Sequence, residues 1–251
     1  MSVEKFKALH EQDTPFIVGN VWDAHTAKAA QDAGFQGLGS SSHAIANVLG
    51  YEDGQQISVD EILFVVERIV KSVDIPVSVD FEAGYSSDPE EVAAHVKQLV
   101  DVGVVGINLE DGVVKDGKRV LEDSQILARK IKAIKAVTNI FINARADTYT
   151  TKHADALDES IKRAKLYEES GADGIFLPVI EKQEDIKKVV ESISLPLNVF
   201  ATPNITDYAT LTSLGVKRIS HGAKLYEKIF KLTQEQLKEI YNKQDFGLLY
   251  K

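Results

Sequence analysis

Short runs of apolar, often β-branched residues recur along the chain at 16–19, 37–39, 77–80, 105–109, 140–144, 174–177, 197–200 and 218–220. Between them the apolar positions fall three and four apart, the spacing of one helix face. Ile62, Val65, Val66, Ile69 and Val70 form one such face, and Val92, Val96, Leu99 and Val100 a second. Ile126, Ile131 and Ile134 form a third, and Leu157, Ile161, Ala164 and Leu166 a fourth. A glycine just ahead of a strand recurs in Ala33-Gly34-Phe35, Val102-Gly103-Val104, Ser170-Gly171-Ala172 and Leu214-Gly215-Val216. Glycine past a helix end supplies the left-handed cap that turns the chain into the next strand. Helix starts are marked as well. Asp88-Pro89-Glu90-Glu91 joins an N-cap to an N1 proline, Ser58-Val59-Asp60-Glu61 is a capping box, and Asp23 caps a helix from Ala24.

Eight strands alternating with helices predict an α/β fold, a (β/α)8 barrel of the TIM type. A doubly wound open sheet is the rival, but it gathers polar groups at one crevice, whereas here they close many strands. No break in composition marks a linker, so residues 1–251 read as one domain. Residues 1–12 read as an amphipathic first helix, and 232–251 as a last one followed by the apolar end Phe246-Gly247-Leu248-Leu249-Tyr250. Such an end packs on its own barrel or on a neighbouring subunit, so a homo-oligomer, a dimer or a tetramer, is one expectation.

Charged residues close three successive strands, in Asp80-Phe81-Glu82-Ala83-Gly84-Tyr85, Asn108-Leu109-Glu110-Asp111 and Asn143-Ala144-Arg145-Ala146-Asp147. Parallel strands would bring these groups together at their C-terminal ends. Carboxylates crowded there repel unless a cation joins them, and hard oxygen ligands suit Mg2+ or Mn2+. Asp80 is expected to touch the metal, with Glu82 and Glu110 holding its water, because Mg2+ usually takes only one or two protein carboxylates. Each acid taken singly could instead cap the helix that follows. Arg145 and Asn143, two apart on a strand, point to one side. The arginine is suited to a bidentate grip on a carboxylate or phosphate, or to a structural salt bridge with Glu110 or Asp147. Ser40-Ser41-Ser42-His43 follows the second strand, where hydroxyls and backbone N–H groups can hold a carboxylate. His43 and His221 taken alone read as structural.

The formal net charge of −9 argues against nucleic acid and against an anionic membrane surface. Cysteine is absent, which excludes disulfides, thiolate ligands and a thiol acid. No run approaches membrane-spanning length and the N-terminus does not resemble a signal peptide, so a cytoplasmic location is expected. No lysine ends a central strand, which disfavours Schiff-base chemistry. Neither a dinucleotide fingerprint nor a P-loop is present.

From about Val18 to His221 the chain resembles the isocitrate lyase/phosphoenolpyruvate mutase superfamily. The likeness rests on Trp22-Asp23-Ala24, Ala33-Gly34-Phe35, Ser41-Ser42, Gly50-Tyr51-Glu52-Asp53-Gly54 and, above all, the three charged strand ends together with Gly106-Ile107. The resemblance implies an α/β barrel, often a tetramer with swapped last helices, a Mg2+ site and a small 2-oxo or enol carboxylate substrate. Matched by position, it implies Asp80, Glu82 and Glu110 at the metal and Arg145, Glu110 and Asp53 in catalysis. It likewise implies Ser41, Ser42, Asn143, Arg145 and His221 at the substrate. The implied chemistry breaks or moves a C–C or P–C bond beside a 2-oxo carboxylate, through a pyruvate-enolate-like intermediate. The lyase members carry a Cys and a His on a mobile loop, but the matching segment here, 112–119, has neither. Isocitrate and methylisocitrate lyase activity are therefore not expected. The chain looks instead like a short-loop member of the carboxyvinyl-carboxyphosphonate phosphorylmutase-like kind. The alternative is a barrel that binds small anions and keeps the metal but has lost turnover.

Overall fold

The computed structural model describes residues 2–52 and 54–250, so Asp53, one of the acids expected at the site, lies outside the described residues. Helix α1 (Val3–His10) precedes β1 (Phe16–Ile17) and β2 (Gly19–Val21), and α2 (Ala24–Asp32) leads to β3 (Leu38–Ser40). Helices α3 (Ser42–Val48) and α4 (Val59–Lys71) lead to β4 (Val77–Asp80), and α5 (Pro89–Asp101) to β5 (Gly106–Glu110). Strands β6 (Gly112–Lys115) and β7 (Lys118–Leu121) then form a hairpin, and α6 (Ser124–Val137) leads to β8 (Phe141–Arg145). The chain continues through α7 (Ala156–Glu169), β9 (Gly174–Leu177), α8 (Gln183–Ser192), β10 (Leu197–Phe200), α9 (Tyr208–Ser213), β11 (Arg218–Ser220) and α10 (Lys224–Lys243).

The main sheet is parallel throughout, in the order β1-β11-β10-β9-β8-β5-β4-β3-β2. It closes through residues 16–21. Phe16 and Ile17 pair with β11, and Gly19 to Val21 pair with β3, so the first strand changes partner at Val18. This is the expected TIM-type barrel, its first strand running longer than the sequence suggested. The predicted helix faces are those buried against it, for example Ile62, Val66, Ile69 and Val70 of α4. The predicted caps also form. Asp23 accepts from the Thr26 N–H, and Ser58 and Glu61 make a reciprocal box.

One segment differs from expectation. Residues 112–118, read as a loop, form an antiparallel hairpin turning on Asp116 and Gly117, whose φ angles are 51° and 71°. Asp-Gly with both residues left-handed makes the tight turn whose twist suits a two-residue hairpin. Val113, Val114 and Val120 supply the β-branched flanks.

The lumen of the barrel is apolar at its floor and polar above. Helix α1 closes the floor by packing Phe6 and Leu9 against Phe16, Val18, Val105 and Phe141. Gly106 permits this, because a Cβ there would lie 2.8 Å from the Phe6 ring. Above the floor, inward positions carry amides. Asn143 donates to Asn108 Oδ1 at 2.9 Å and to Asn198 Oδ1 at 3.1 Å. No described helix is long and apolar enough to cross a membrane. Helix α10 buries none of its residues and leaves Leu225, Ile229, Phe230, Leu232 and Leu237 exposed.

His10 is the titratable member of the floor. It stacks on Phe141 with ring centroids 4.3 Å apart, and its Nδ1–H donates to the Phe6 carbonyl at 2.9 Å. Burial, helped by the nearby charge of Arg218, lowers its pKa to about 3 from 6.5. The unfolded chain therefore binds a proton below pH 6.5 that the fold refuses. His10 imposes no penalty above pH 6.5, and as the pH falls from there toward 3 it removes stability at about 1.4 kcal/mol per unit. Urea midpoints measured from pH 7 to pH 4 should fall less steeply for His10→Phe than for the wild type. Parallel slopes would show that the ring is protonated in the fold.

Candidate active site

The C-terminal ends of the strands form the mouth of the barrel, and a cavity of about 160 Å3 opens there. One side is polar, lined by Asn20, Ser40, Ser41, Asp80, Asn108 and Arg145. The other is formed by Phe176, Pro178, Val179 and Phe200, with Thr150 at the edge. A larger cleft of about 500 Å3 lies at the opposite end, lined by Lys7, His10 and Asp173. Asp173 there already holds Lys7 at 2.7 Å and Lys135 at 2.5 Å, and the N-terminal face of such barrels serves stability.

Asp80 ends β4. Its backbone N–H donates to Ser40 Oγ at 3.0 Å, and its carboxylate accepts from Ser42 Oγ at 2.7 Å and from Asn108 Nδ2 at 3.3 Å. Among the described residues it makes no salt bridge. The remaining acids at the mouth are paired. Glu110 Oε1 meets Arg119 Nη1 at 2.6 Å and its Oε2 meets Arg145 Nη1 at 2.8 Å. Asp147 Oδ2 meets Arg119 Nη1 at 2.8 Å, while its Oδ1 accepts from Arg145 Nε at 3.0 Å and Nη2 at 2.8 Å. Glu110, Asp147 and the two guanidiniums thus form a closed ring that is charge-balanced when both acids are ionised. Gly112 allows the hairpin to come this close, since a Cβ there would overlap the Asp147 carboxylate.

The ring splits its two acids. Burial pushes Glu110 up to about 8, Asp147 adds to this, and Arg145 and Arg119 oppose it. The two short ion pairs favour its charged form, so burial sets the direction and the guanidiniums limit the shift. Burial acts on Asp147 in the same sense, but Arg145 and Arg119 outweigh it and hold that carboxyl below its usual value. Behind the ring, Asp111 accepts from Tyr167 at 2.5 Å and Arg163 at 2.9 Å, and its Oδ1 takes the Asp147 N–H at 2.9 Å.

The structure brings Asp80, Ser41 and Arg145 to one cavity as the sequence suggested. It sets other expected residues apart from that cavity. Glu82 has φ 45° and accepts from the Tyr85 hydroxyl at 2.5 Å, in a tight turn where Gly84 and Tyr85 are also left-handed. Lys130 of α6 anchors this turn through the Ala83 carbonyl at 2.7 Å. Ser42 faces Asp80, Asn143 sits in the amide layer below, and His221 Nε2 accepts from the Asn20 N–H at 3.4 Å. Burial lowers the His221 pKa. Asn20, Arg119 and Thr150 were not singled out from the sequence, whereas Ser40 stood in the serine cluster after the second strand. Ser40 ends β3 and Asn20 lies on β2, so strand alternation alone could have placed them. Nothing local predicts that Arg119, on a hairpin, folds back to Glu110.

No three described His, Cys, Asp or Glu side chains gather into a metal cage. The donor set nevertheless fits a Mg2+-type cation. Such an ion keeps several waters and needs only one or two carboxylates, and Asp80 offers a hard oxygen with no cationic side chain competing for it. Arg145 has three N–H groups engaged with Glu110 and Asp147, and the rest of its fork remains for an anion in the cavity. Thr150 lines the cavity beside the Asp147 carboxylate. Val179 is held at φ 54°, a strained conformation for a β-branched residue.

Comparison with known proteins agrees with this architecture. The family model described as phosphoenolpyruvate phosphomutase matches residues 6–241. An uncharacterized protein of Mycobacterium tuberculosis is 35% identical over 223 residues, covering 88% of this chain and 83% of its own length. Oxaloacetate decarboxylase 1 of Pseudomonas fluorescens is 28% identical over 240 residues, covering 93% of this chain and 83% of its own. A Burkholderia cenocepacia protein with a provisional phosphonomutase assignment superposes with a TM-score of 0.88 at 34% identity, covering 94% of this chain and 99% of its own. Phosphonopyruvate hydrolase, solved with oxalate and Mg2+, shares the fold with a TM-score of 0.86 at 23% identity, over 97% of this chain and 88% of its own. The barrel, its charged mouth and these matches together establish that the chain belongs to the phosphoenolpyruvate phosphomutase family, within the isocitrate lyase/phosphoenolpyruvate mutase superfamily of lyases and mutases.

Proposed function

We propose that the protein is a Mg2+-dependent enzyme that decarboxylates a small 2-oxo dicarboxylate of the oxaloacetate type, with Asp80 as the protein ligand of the cation. The observation that carries this reading is the Asp80 carboxylate, without a cationic partner among the described residues, in the same small cavity as Arg145. When bound, the cation supplies electrostatic stabilisation of the oxygen charge that develops as the bond beside the 2-oxo group breaks. The chain does the rest. The remaining N–H groups of Arg145 grip a carboxylate. Ser40 and Ser41 border the polar end, and Phe176, Pro178 and Phe200 exclude water from the carbon skeleton. Among the described residues, the cavity walls carry no Cys, His, Lys or Tyr to act as a proton donor to a departing carbon. Loss of CO2 needs no such donor. The C–C electron pair passes to the 2-oxo oxygen, and the product later takes its proton from water. The similar oxaloacetate decarboxylase of Pseudomonas fluorescens supports this reading.

Proton NMR of oxaloacetate with the protein tests it. At one fixed Mg2+ concentration, which also controls for metal-catalysed background, the wild type should form pyruvate and Asp80→Ala should lose about a thousandfold of the rate. Chelation should abolish the protein-dependent rate. Turnover that survives chelation, or an Asp80→Ala variant that keeps its rate, overturns the assignment. Binding of oxalate with no turnover would identify an anion-binding barrel instead.

We also infer that α10 packs against a second copy of the chain. Leu225, Ile229, Phe230 and Leu232 of the helix are exposed, as are Phe246 and Leu249 after it, more apolar surface than a lone molecule keeps in water. Sedimentation equilibrium should show a dimer or tetramer for the wild type and a lighter species for Phe230→Glu. A monomeric wild type would rule this assembly out.

A further inference from the structure

Arg218 opens β11 and points into the lumen, level with Asn198 and Phe16 on the neighbouring strands. It is among the largest fully buried side chains of the protein. Its guanidinium lies 5.8 Å from the Phe6 ring centroid, and Nη2 donates to Asn108 Oδ1 at 3.4 Å. Its Nε and Nη1 have no hydrogen-bond partner, and no carboxylate among the described residues touches it. Burial lowers its pKa only to about 10, against the pull of Asp80, so it is charged at neutral pH. A buried charge served so poorly costs stability, and an apolar residue of similar size would hold the fold at least as well. Packing does not account for an arginine at this place.

Its contacts lead to the site above. Asn108 Oδ1 accepts from two donors below it, Asn143 Nδ2 at 2.9 Å and Arg218 Nη2 at 3.4 Å. The amide is thereby fixed with its oxygen toward the lumen and its Nδ2 toward Asp80 Oδ1, at 3.3 Å. Ser42 holds the other oxygen of Asp80. Asp80 is therefore oriented by an amide that Arg218 helps to lock, with the positive charge of Arg218 on the other side of that amide.

We propose that Arg218 is a positioning residue that sets the charge balance of the Asp80 site, loosening its hold on a cation and tightening its hold on an anionic substrate. This rests on the reading of Asp80 as the cation ligand. The buried guanidinium repels a cation beside Asp80 and adds its own attraction for the incoming carboxylates. In a water-poor lumen such a charge is weakly screened and acts across several ångströms.

The test uses Mn2+ as the cation probe, with free ion counted by electron paramagnetic resonance, and oxalate as the dianion probe, titrated calorimetrically into Mn2+-saturated protein. Arg218→Met should bind Mn2+ roughly tenfold more tightly and oxalate roughly tenfold more weakly. It should melt at or above the wild-type temperature. Arg218→Lys, which keeps the charge, should stay near wild type with both probes. A purely structural role would weaken both affinities together or move neither, and either result overturns the proposal. If Arg218→Met does not fold, Arg218→Gln carries the same comparison. A wild type that binds no Mn2+ overturns the reading of Asp80 and this one with it. A wild type that binds both probes while the variants shift in parallel overturns the role of Arg218 alone.

Discussion

Glu110, Arg119, Asp147 and Arg145 satisfy one another in a ring under the barrel mouth, and much of the site follows from that pairing. Buried charges are tolerated only when paired and hydrogen-bonded, and losing one partner typically costs about 3–5 kcal/mol. With both acids ionised the ring meets this condition with no residual charge. It also divides the acids of the mouth into two kinds. Glu110 and Asp147 are held by guanidiniums, while Asp80 is held by a hydroxyl and an amide. A small cation approaching the mouth therefore meets in Asp80 a carboxylate that, among the described residues, has no cationic side chain to displace. Arg145 is fixed by the same contacts, so its remaining N–H groups point in a set direction before any ligand arrives.

The hairpin extends this arrangement. It replaces a loop with a paired ribbon whose last strand brings Arg119 to Glu110 and Asp147, and whose first residue, Gly112, must lack a side chain to let Asp147 in. Val114 of the same ribbon lies against Gly54, so the ribbon also borders the segment between α3 and α4. On the other flank, the turn after β4 stores strain at Glu82 and Tyr85 and is tied down by Lys130 from α6. The two tethers hold the loops on either side of Asp80 from neighbouring elements, and strain of this kind persists only where its surroundings over-determine it.

Much of this could be read in the chain beforehand. Four of the eight predicted strands coincide in full with observed ones, at 77–80, 174–177, 197–200 and 218–220. The caps at Asp23, Ser58 and Asp88 are where the local chemistry put them. Asp80, Ser41 and Arg145 were visible as polar residues closing apolar runs. Ser40 ends β3 and stood in the serine cluster read from the sequence, whereas Asn20, in the middle of β2, carried no such signal. The hairpin was missed although Asp116-Gly117 between valine-bearing flanks is a turn signal, because the segment is short and largely polar. Arg119 and Arg218 were not recognisable as site residues, since their partners lie far away in sequence.

The sequence by itself determined the alternation of strands and helices, the helix ends and which strand tips carry charge, because periodicity, capping and turn preference act over a few residues. Only the tertiary structure decided how those charges pair. Glu110, expected beside a metal, turned instead to Arg119 and Arg145, while Asp80 was left to Ser42 and Asn108. Closure of the barrel brings residues from five or more strands and a hairpin within hydrogen-bonding distance, and Coulomb and desolvation energies at that range depend on ångström separations that no local pattern encodes.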